Sequence, residues 1–220
     1  AFYRYFRAQA AGEKDFRSTT RDVRALLQQL ESEQVDGIVI DLRNNGGGSL
    51  TEATELTGLF IEKGPVVQIR DYNGEVESEV DPDPQMVYRW PLVVMINRNS
   101  ASASEIFAGA IQDYGRGVLV GESTFGKGTV QQLVDLSNYI SSGSDMGRLR
   151  MTIAQFFRVN GGSTQHRGVV PDVLFPTAKD ASDHGERSLD NALPWAHITP
   201  ALYAPKGVGA YARLRDKSRV

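Results

Sequence analysis

The sequence contains no cysteine. This absence removes a disulfide framework, a thiol nucleophile and a thiolate metal site together. It leaves the compartment open, since reducing and oxidising surroundings both accept a cysteine-free chain. Long apolar runs are missing too: stretches such as Leu92 to Ile96 fall far short of the ~20 residues that span a bilayer. Charge of one sign is not in excess. The 24 Lys+Arg against 27 Asp+Glu leave a net charge of −3, which is no electrostatic footprint for nucleic acid. The chain opens Ala1-Phe2-Tyr3-Arg4 with neither an initiator Met nor an apolar leader, and is expected to be a processed or excerpted piece.

What is present describes a globular domain. A chain of 220 residues can bury one full core, and 40% hydrophobic with 23% charged residues excludes a disordered or fibrous reading. Ser18-Thr19-Thr20 ahead of Val23, Leu26, Leu27 and Leu30 at helical spacing predicts a capped amphipathic helix over 17–33. Asp36 to Leu42 reads as a buried strand, Leu50 to Ile61 as a helix and Pro65 to Arg70 as a strand before an Asn73-Gly74 turn. Pro91 to Asn97 and Gly117 to Gly121 are further strands, separated by a helix from Glu105 to Tyr114, and Thr129 to Leu136 and Met151 to Val159 are strand-like. Strands alternating with helices over 35–121 give an α/β core. The expected division is a core over 1–176 and a polar extension over 177–220 that packs on or beside it. The acidic run Glu75, Glu77, Glu79, Asp81, Asp83 reads as a solvated edge rather than a metal site, because alternation spreads the carboxylates along one face.

Two strands end in Gly- or Ser-rich turns that open helices, at Asn44-Asn45-Gly46-Gly47-Gly48 and at Ser100-Ala101-Ser102-Ala103-Ser104. Such turns present backbone N–H groups that can hold a phosphate or the oxyanion of acyl transfer. Gly121 to Lys127 fits G-x-x-x-x-G-K, and Asp41 mimics a strand-end magnesium ligand. Yet Gly128 stands where the nucleotide motif needs a hydroxyl, and a strand follows where it needs a helix. Ser100, Ser102 and Ser104 can each be helix caps, or one can be a nucleophile. His166, His184 and His197 have no recognisable triad setting. Lys127, between two glycines and beside Phe125 and Val130, is either an exposed turn lysine or an amine whose pKa burial lowers.

Three blocks together carry a resemblance: Asp41 to Gly48 (DLRNNGGG), Ser100 to Ile106 (SASASEI) and Thr124 to Gln131 (TFGKGTVQ). In this order and at these intervals they resemble the signature blocks of the C-terminal processing peptidases, or tail-specific proteases. Phe156 to Gln165, Gly168 to Asp172 and Leu189 to Trp195 resemble the long periplasmic form of Gram-negative bacteria in particular. The resemblance, from about residue 20 to 200, implies an α/β spiral core of the crotonase/ClpP type and a cofactor-free, metal-free serine endopeptidase. It implies Ser102 as nucleophile, Lys127 as general base, Gln131 as third member, and the N–H groups of Gly48 and Ala103 as oxyanion donors. It implies polypeptide substrates with apolar C-termini, a periplasmic location and a lipoprotein adaptor as partner. The family's PDZ domain is missing from this chain, which has no carboxylate-binding loop of the Gly-Leu-Gly-Phe kind. In a straight strand Lys127 and Gln131 would stand about 13 Å apart at ~3.3 Å per residue, so direct contact needs a bend, for which Gly128 is the expected place. Two rival readings stay open at this point: a non-catalytic module keeping the fold, and a crotonase-type acyl-transfer enzyme.

Overall fold

The apolar run at 92–96 builds the centre of the molecule. In the computed structural model, which describes residues 1–4, 12, 16–83, 85–139, 146–176 and 184–205, β1 (Ile38–Asp41), β4 (Leu92–Ile96), β5 (Val118–Gly121) and β8 (Val173–Leu174) form a sheet in the order β1-β4-β5-β8. All three pairings are parallel, with Ile38 opposite Leu92 and Val93 opposite Val118. Parallel neighbours need long crossovers, and an α-helix lies in each of the first two, from β1 to β4 and from β4 to β5. The helices are α1 (Thr19–Ser32), α2 (Leu50–Gly58) and α3 (Ala103–Asp113). A second, antiparallel sheet has the order β3-β2-β7-β6, from β2 (Pro65–Asp71), β3 (Val76–Val80), β6 (Thr129–Asp135) and β7 (Arg148–Phe157).

Each helix starts at a serine. Ser18 and Ser49 accept the N–H groups of Arg21 and Glu52, so one orphan donor in each first turn is satisfied. Helix α3 begins at Ala103, two residues before the expected Glu105, which makes Ser102 its N-cap. Between the layers lie the fully buried Leu59, Phe60, Val94, Ile96, Phe107 and Leu119. The ring of Phe107 stands edge-on to Phe60 at 5.7 Å and tilted to Phe2 at 6.4 Å.

Of the two outer strands, one differs from expectation and the other is the solvated edge expected. Strand β1 was expected to be buried, yet Val39 is 60% exposed, because β1 is the outer strand of the parallel sheet and only its Ile38 and Ile40 face is partly covered. The acidic run gives β3, the outer strand of the other sheet, with Asp83 beyond it paired to Arg24 at 2.8 Å. Charged edges of this kind discourage pairing with other chains. Part of the polar extension, 177–183 and 206–220, lies outside the described residues. Its described part lies along the end of β7: the Trp195 indole N–H donates to the Ser163 carbonyl at 2.9 Å, and the Ala201 N–H to that of Val159 at 2.9 Å. Among the described residues no helix is long and apolar enough to cross a membrane.

Phe107 joins α3 to both other aromatic rings, so Phe107→Ala should cost about 3–5 kcal/mol in urea unfolding. Leu26→Ala, at a side chain 56% exposed, should stay within about 0.5 kcal/mol of wild type.

Candidate active site

Parallel neighbours end on the same edge, so β1, β4 and β5 deliver the three glycine- and serine-rich segments to one place. Buried hydroxyls then join them. The Ser100 hydroxyl donates to the Leu42 carbonyl, the Ser104 hydroxyl to the Asn45 carbonyl (both 2.8 Å), and the Ala101 N–H also reaches Asn45 O. Both serines are fully buried. Their work is to tie the 42–45 turn to the turn that opens α3. The Phe125 N–H donates to the Ser100 carbonyl at 2.9 Å and brings in the third segment.

Ser102 sits at the corner with φ 58° and ψ −116°. Non-glycine residues rarely adopt such backbone angles, and they persist only where the surroundings over-determine them. The Gly47 turn packs directly on this corner: a Cβ at Gly47 would lie 2.6 Å from Ala101 O and 2.8 Å from Ala103 N. Only glycine permits that approach. Ala103, the first residue of α3, has no intrahelical acceptor for its N–H. Neither it nor Gly48 N–H donates a hydrogen bond among the described residues. Gly48, Ala103, Ser102, Lys127 and Gln131 all line one cleft of about 470 Å³, with an apolar side made by Leu50, Ile106 and Phe156. The structure thus brings together every site residue expected from the sequence.

Glu105 was not singled out in the sequence. It is fully buried, and its carboxylate accepts four hydrogen bonds. Oε1 takes the Thr124 hydroxyl (2.6 Å) and the Gly126 N–H (2.8 Å); Oε2 takes the N–H groups of Ser102 (2.8 Å) and Lys127 (2.9 Å). One side chain therefore holds the Ser102 corner against the Lys127 loop. Burial pushes the Glu105 carboxyl up to about 7, against the pull of Thr124 and the three N–H groups. The signal was present in the sequence as the spacing Ser102-x-x-Glu105, a helix-start box whose glutamate reaches back to the cap N–H.

Lys127 is half-buried in the cleft. Burial lowers its pKa below the ordinary lysine value; Glu186 opposes this, Arg150 adds to it, and Glu105 opposes it. Gly128, expected to bend the strand, does something else. Its N–H donates to Gln165 Oε1 at 2.8 Å, and a Cβ there would meet the Gln165 backbone. The irregularity in the β6–β7 pairing falls beyond it, where the register shifts between Val130 and Gln131 and Ile153 of β7 is the extra residue. The extra residue is accommodated at the bulge, whereas Gly128 answers a close approach. Past Lys127 the chain is strand β6 rather than a helix, which removes the nucleotide-loop reading of Gly121–Lys127. Asp41 pairs with Arg43 at 2.8 Å. His184 lies edge-on to Phe125, His197 beside Trp195, and no histidine lines the cleft. Among the described residues no three His, Asp or Glu side chains converge to hold a metal.

A chain with this cleft has relatives. The profile of Peptidase family S41 matches residues 7–175. The tail-specific protease of Haemophilus influenzae is 52% identical over 189 residues, covering 86% of this chain and 27% of the relative. The carboxy-terminal-processing protease of Bartonella bacilliformis is 34% identical over 210 residues, 94% of this chain and 47% of that protein. Among solved structures, a photosystem II D1 C-terminal processing protease superposes with a TM-score of 0.61 at 37% identity, covering 71% of this chain and 39% of that one. The chain belongs to peptidase family S41, a family of serine peptidases, and has its mixed α/β fold. It spans between about a quarter and a half of the length of these two curated relatives.

Because the folded state holds the Glu105 carboxyl near 7, above its ordinary 4.5, the native protein binds the proton more tightly than the unfolded chain. The contribution is fully present below about pH 4.5 and is lost as pH rises through about 7. Urea unfolding from pH 4.5 to 7.5 should show wild type losing about 3 kcal/mol relative to Glu105→Gln. Parallel pH profiles for the two proteins would contradict it.

Proposed function

We propose that this chain is the catalytic core of a serine endopeptidase working through a Ser102–Lys127 dyad. The observation that carries the reading is the shared cleft: a strained serine at a helix start, two backbone N–H groups beside it without partners among the described residues, and a lysine whose burial favours the neutral amine. An ammonium has no lone pair with which to take the Ser102 proton, so the base must be the neutral form. Ser102 Oγ attacks the scissile carbonyl and its proton passes to Lys127 Nζ. The oxyanion is received by the N–H groups of Gly48 and Ala103, and the lysine then returns the proton to the leaving amine. Gln131, on β6 at the edge of the cleft, serves to orient the lysine amine. Ser102→Ala should abolish turnover and leave folding intact.

The apolar side of the cleft fits small or medium apolar side chains of an extended polypeptide. The substrates on this reading are polypeptides with apolar C-termini, cleaved in the periplasm as in tail-specific proteolysis. Recognition of the tail itself, by a PDZ domain or through a lipoprotein adaptor, falls to parts outside this chain. The cleft lining of glycine, serine and apolar residues, together with the relatives named as proteases, favours hydrolysis of peptides over acyl transfer or a purely structural role.

The test is a pH–rate profile on a soluble peptide in the intact protease. kcat/KM should rise with pH through an ionisation below the ordinary lysine value of ~10.4, since lowering pH protonates the base, and any step near 7 that is lost in Glu105→Gln belongs to the Glu105 carboxyl. Lys127→Arg should be as inactive as Lys127→Ala, because a guanidinium stays protonated. A limb near ~6.5 that disappears in His166→Ala would assign the base to the histidine instead.

A further inference from the structure

The first residues of the chain carry no motif, yet they lie against the oxyanion turn. The Phe2 N–H donates to the Gly47 carbonyl at 3.1 Å, and the Ser49 N–H donates to the Phe2 carbonyl at 2.8 Å, so Phe2 bridges in parallel with Gly48. The approach is so close that a Cβ on Gly48 would fall on the Phe2 carbonyl oxygen. Phe2 is held from the inside, its ring 3% exposed and tilted against Phe107. The following residues are pinned to the helices. Tyr3 and Thr19 exchange hydrogen bonds, Tyr3 N–H to Thr19 Oγ1 at 2.8 Å and Thr19 N–H to the Tyr3 carbonyl at 3.0 Å. The Arg4 guanidinium, 7% exposed, pairs with Glu55 and, at 2.7 Å, with the fully buried Glu52. Glu52 also takes the N–H and hydroxyl of Thr20, both at 2.7 Å.

The bond at Gly47 has a directional consequence. The Gly47 C=O and the Gly48 N–H belong to one planar trans peptide and point to opposite sides of the chain. Capturing that carbonyl from the Phe2 side fixes the plane and turns the Gly48 N–H away from Phe2. Gly48 lines the cleft beside Ser102 and Ala103. Without the capture, two glycines with φ of 96° and 151° could rotate the peptide at little steric cost. We infer that Phe2–Arg4 is a strap that positions the oxyanion donor: the Phe2 N–H aims the Gly48 N–H, and the Arg4–Glu52 pair holds the strap in place. None of the three residues lines the cleft. They are positioning residues, and the inference rests on reading Gly48 N–H as a donor to the oxyanion. An aimed donor acts on the transition state and not on ground-state substrate, so the strap sets kcat and leaves KM alone.

The experiment compares Phe2→Ala with Phe2→Pro in the intact protease. Both lose the ring, and only proline loses the N–H. The expected result is a kcat about 10- to 100-fold lower in Phe2→Pro than in Phe2→Ala, at or below the ~10²–10³ that removing an oxyanion donor outright costs, with KM unchanged. Affinity for a peptide boronate, which mimics the tetrahedral adduct, should fall by the same factor. Equal kcat in the two variants, or a change confined to KM, overturns the inference. Should circular dichroism show that Phe2→Pro does not fold, Arg4→Met and Arg4→Lys take its place. Met should lower kcat at constant KM and Lys should recover most of the loss, whereas wild-type kcat in both overturns the strap. Labelling by a fluorophosphonate separates the two layers of argument. No label on Ser102 of the wild type defeats the nucleophile on which the inference rests; a labelled Ser102 with equal kcat in Phe2→Pro and Phe2→Ala defeats the strap alone.

Discussion

Everything in the cleft depends on one buried carboxylate. Glu105 has no exposed surface and four donors, two on each oxygen. Taking a carboxylate out of water costs several kcal/mol unless its lone pairs are met, and hydrogen bonds to a charged group contribute roughly 1.5–3 kcal/mol each. The balance holds only if the Ser102 corner and the Thr124–Lys127 loop both stay in place. Displacing either segment strands the charge. The same hydrogen bonds thus hold the Ser102 corner against the Lys127 loop, and explain how Ser102 can persist at φ 58°.

A second constraint comes from the sheet. The parallel order β1-β4-β5 places three strand ends side by side, and the buried Ser100 and Ser104 hydroxyls join the first two loops to each other. Gly47 then allows the loop after β1 to touch the Ser102 corner, with Phe2 on its other side. The glycine turn at 46–48 is gripped between the Ser102 corner and Phe2. On the proposed mechanism, donors held in this way do not need to reorganise as charge develops.

Much of this was legible in the sequence because it is local. The apolar run at 92–96, the cap ahead of the helix at 18–20 and the glycine turn at 46–48 each carry a signal within a few residues, and each formed the element expected. The residues that meet in the cleft were signalled as ordered blocks, since Ser102, Lys127 and Gly48 lie in segments whose spacing is distinctive. What periodicity could not reveal was which strands lie outermost: Val39 has the chemistry of a buried strand and is exposed by its place in the order β1-β4-β5-β8. Nor could it reveal partners distant in the chain. Gly128 looked like a bend and is a contact with Gln165, 37 residues away. Phe2 and Arg4 looked like an unremarkable start, and their partners Gly47 and Glu52 are found only through the fold. Glu105 was hidden differently, since a capping-box glutamate is common and nothing local says that this one also receives the loop at 124–127.

On the proposed mechanism the folded core presents Lys127 as an amine neutral enough to take the Ser102 proton. The most direct measurement is an NMR titration of the Lys127 side chain, following the Cε shift of selectively labelled lysine assigned by its loss in Lys127→Arg. The account predicts a midpoint clearly below the ordinary ~10.4 of lysine, in the direction that burial imposes. A Lys127 that titrates at or above that value would contradict it.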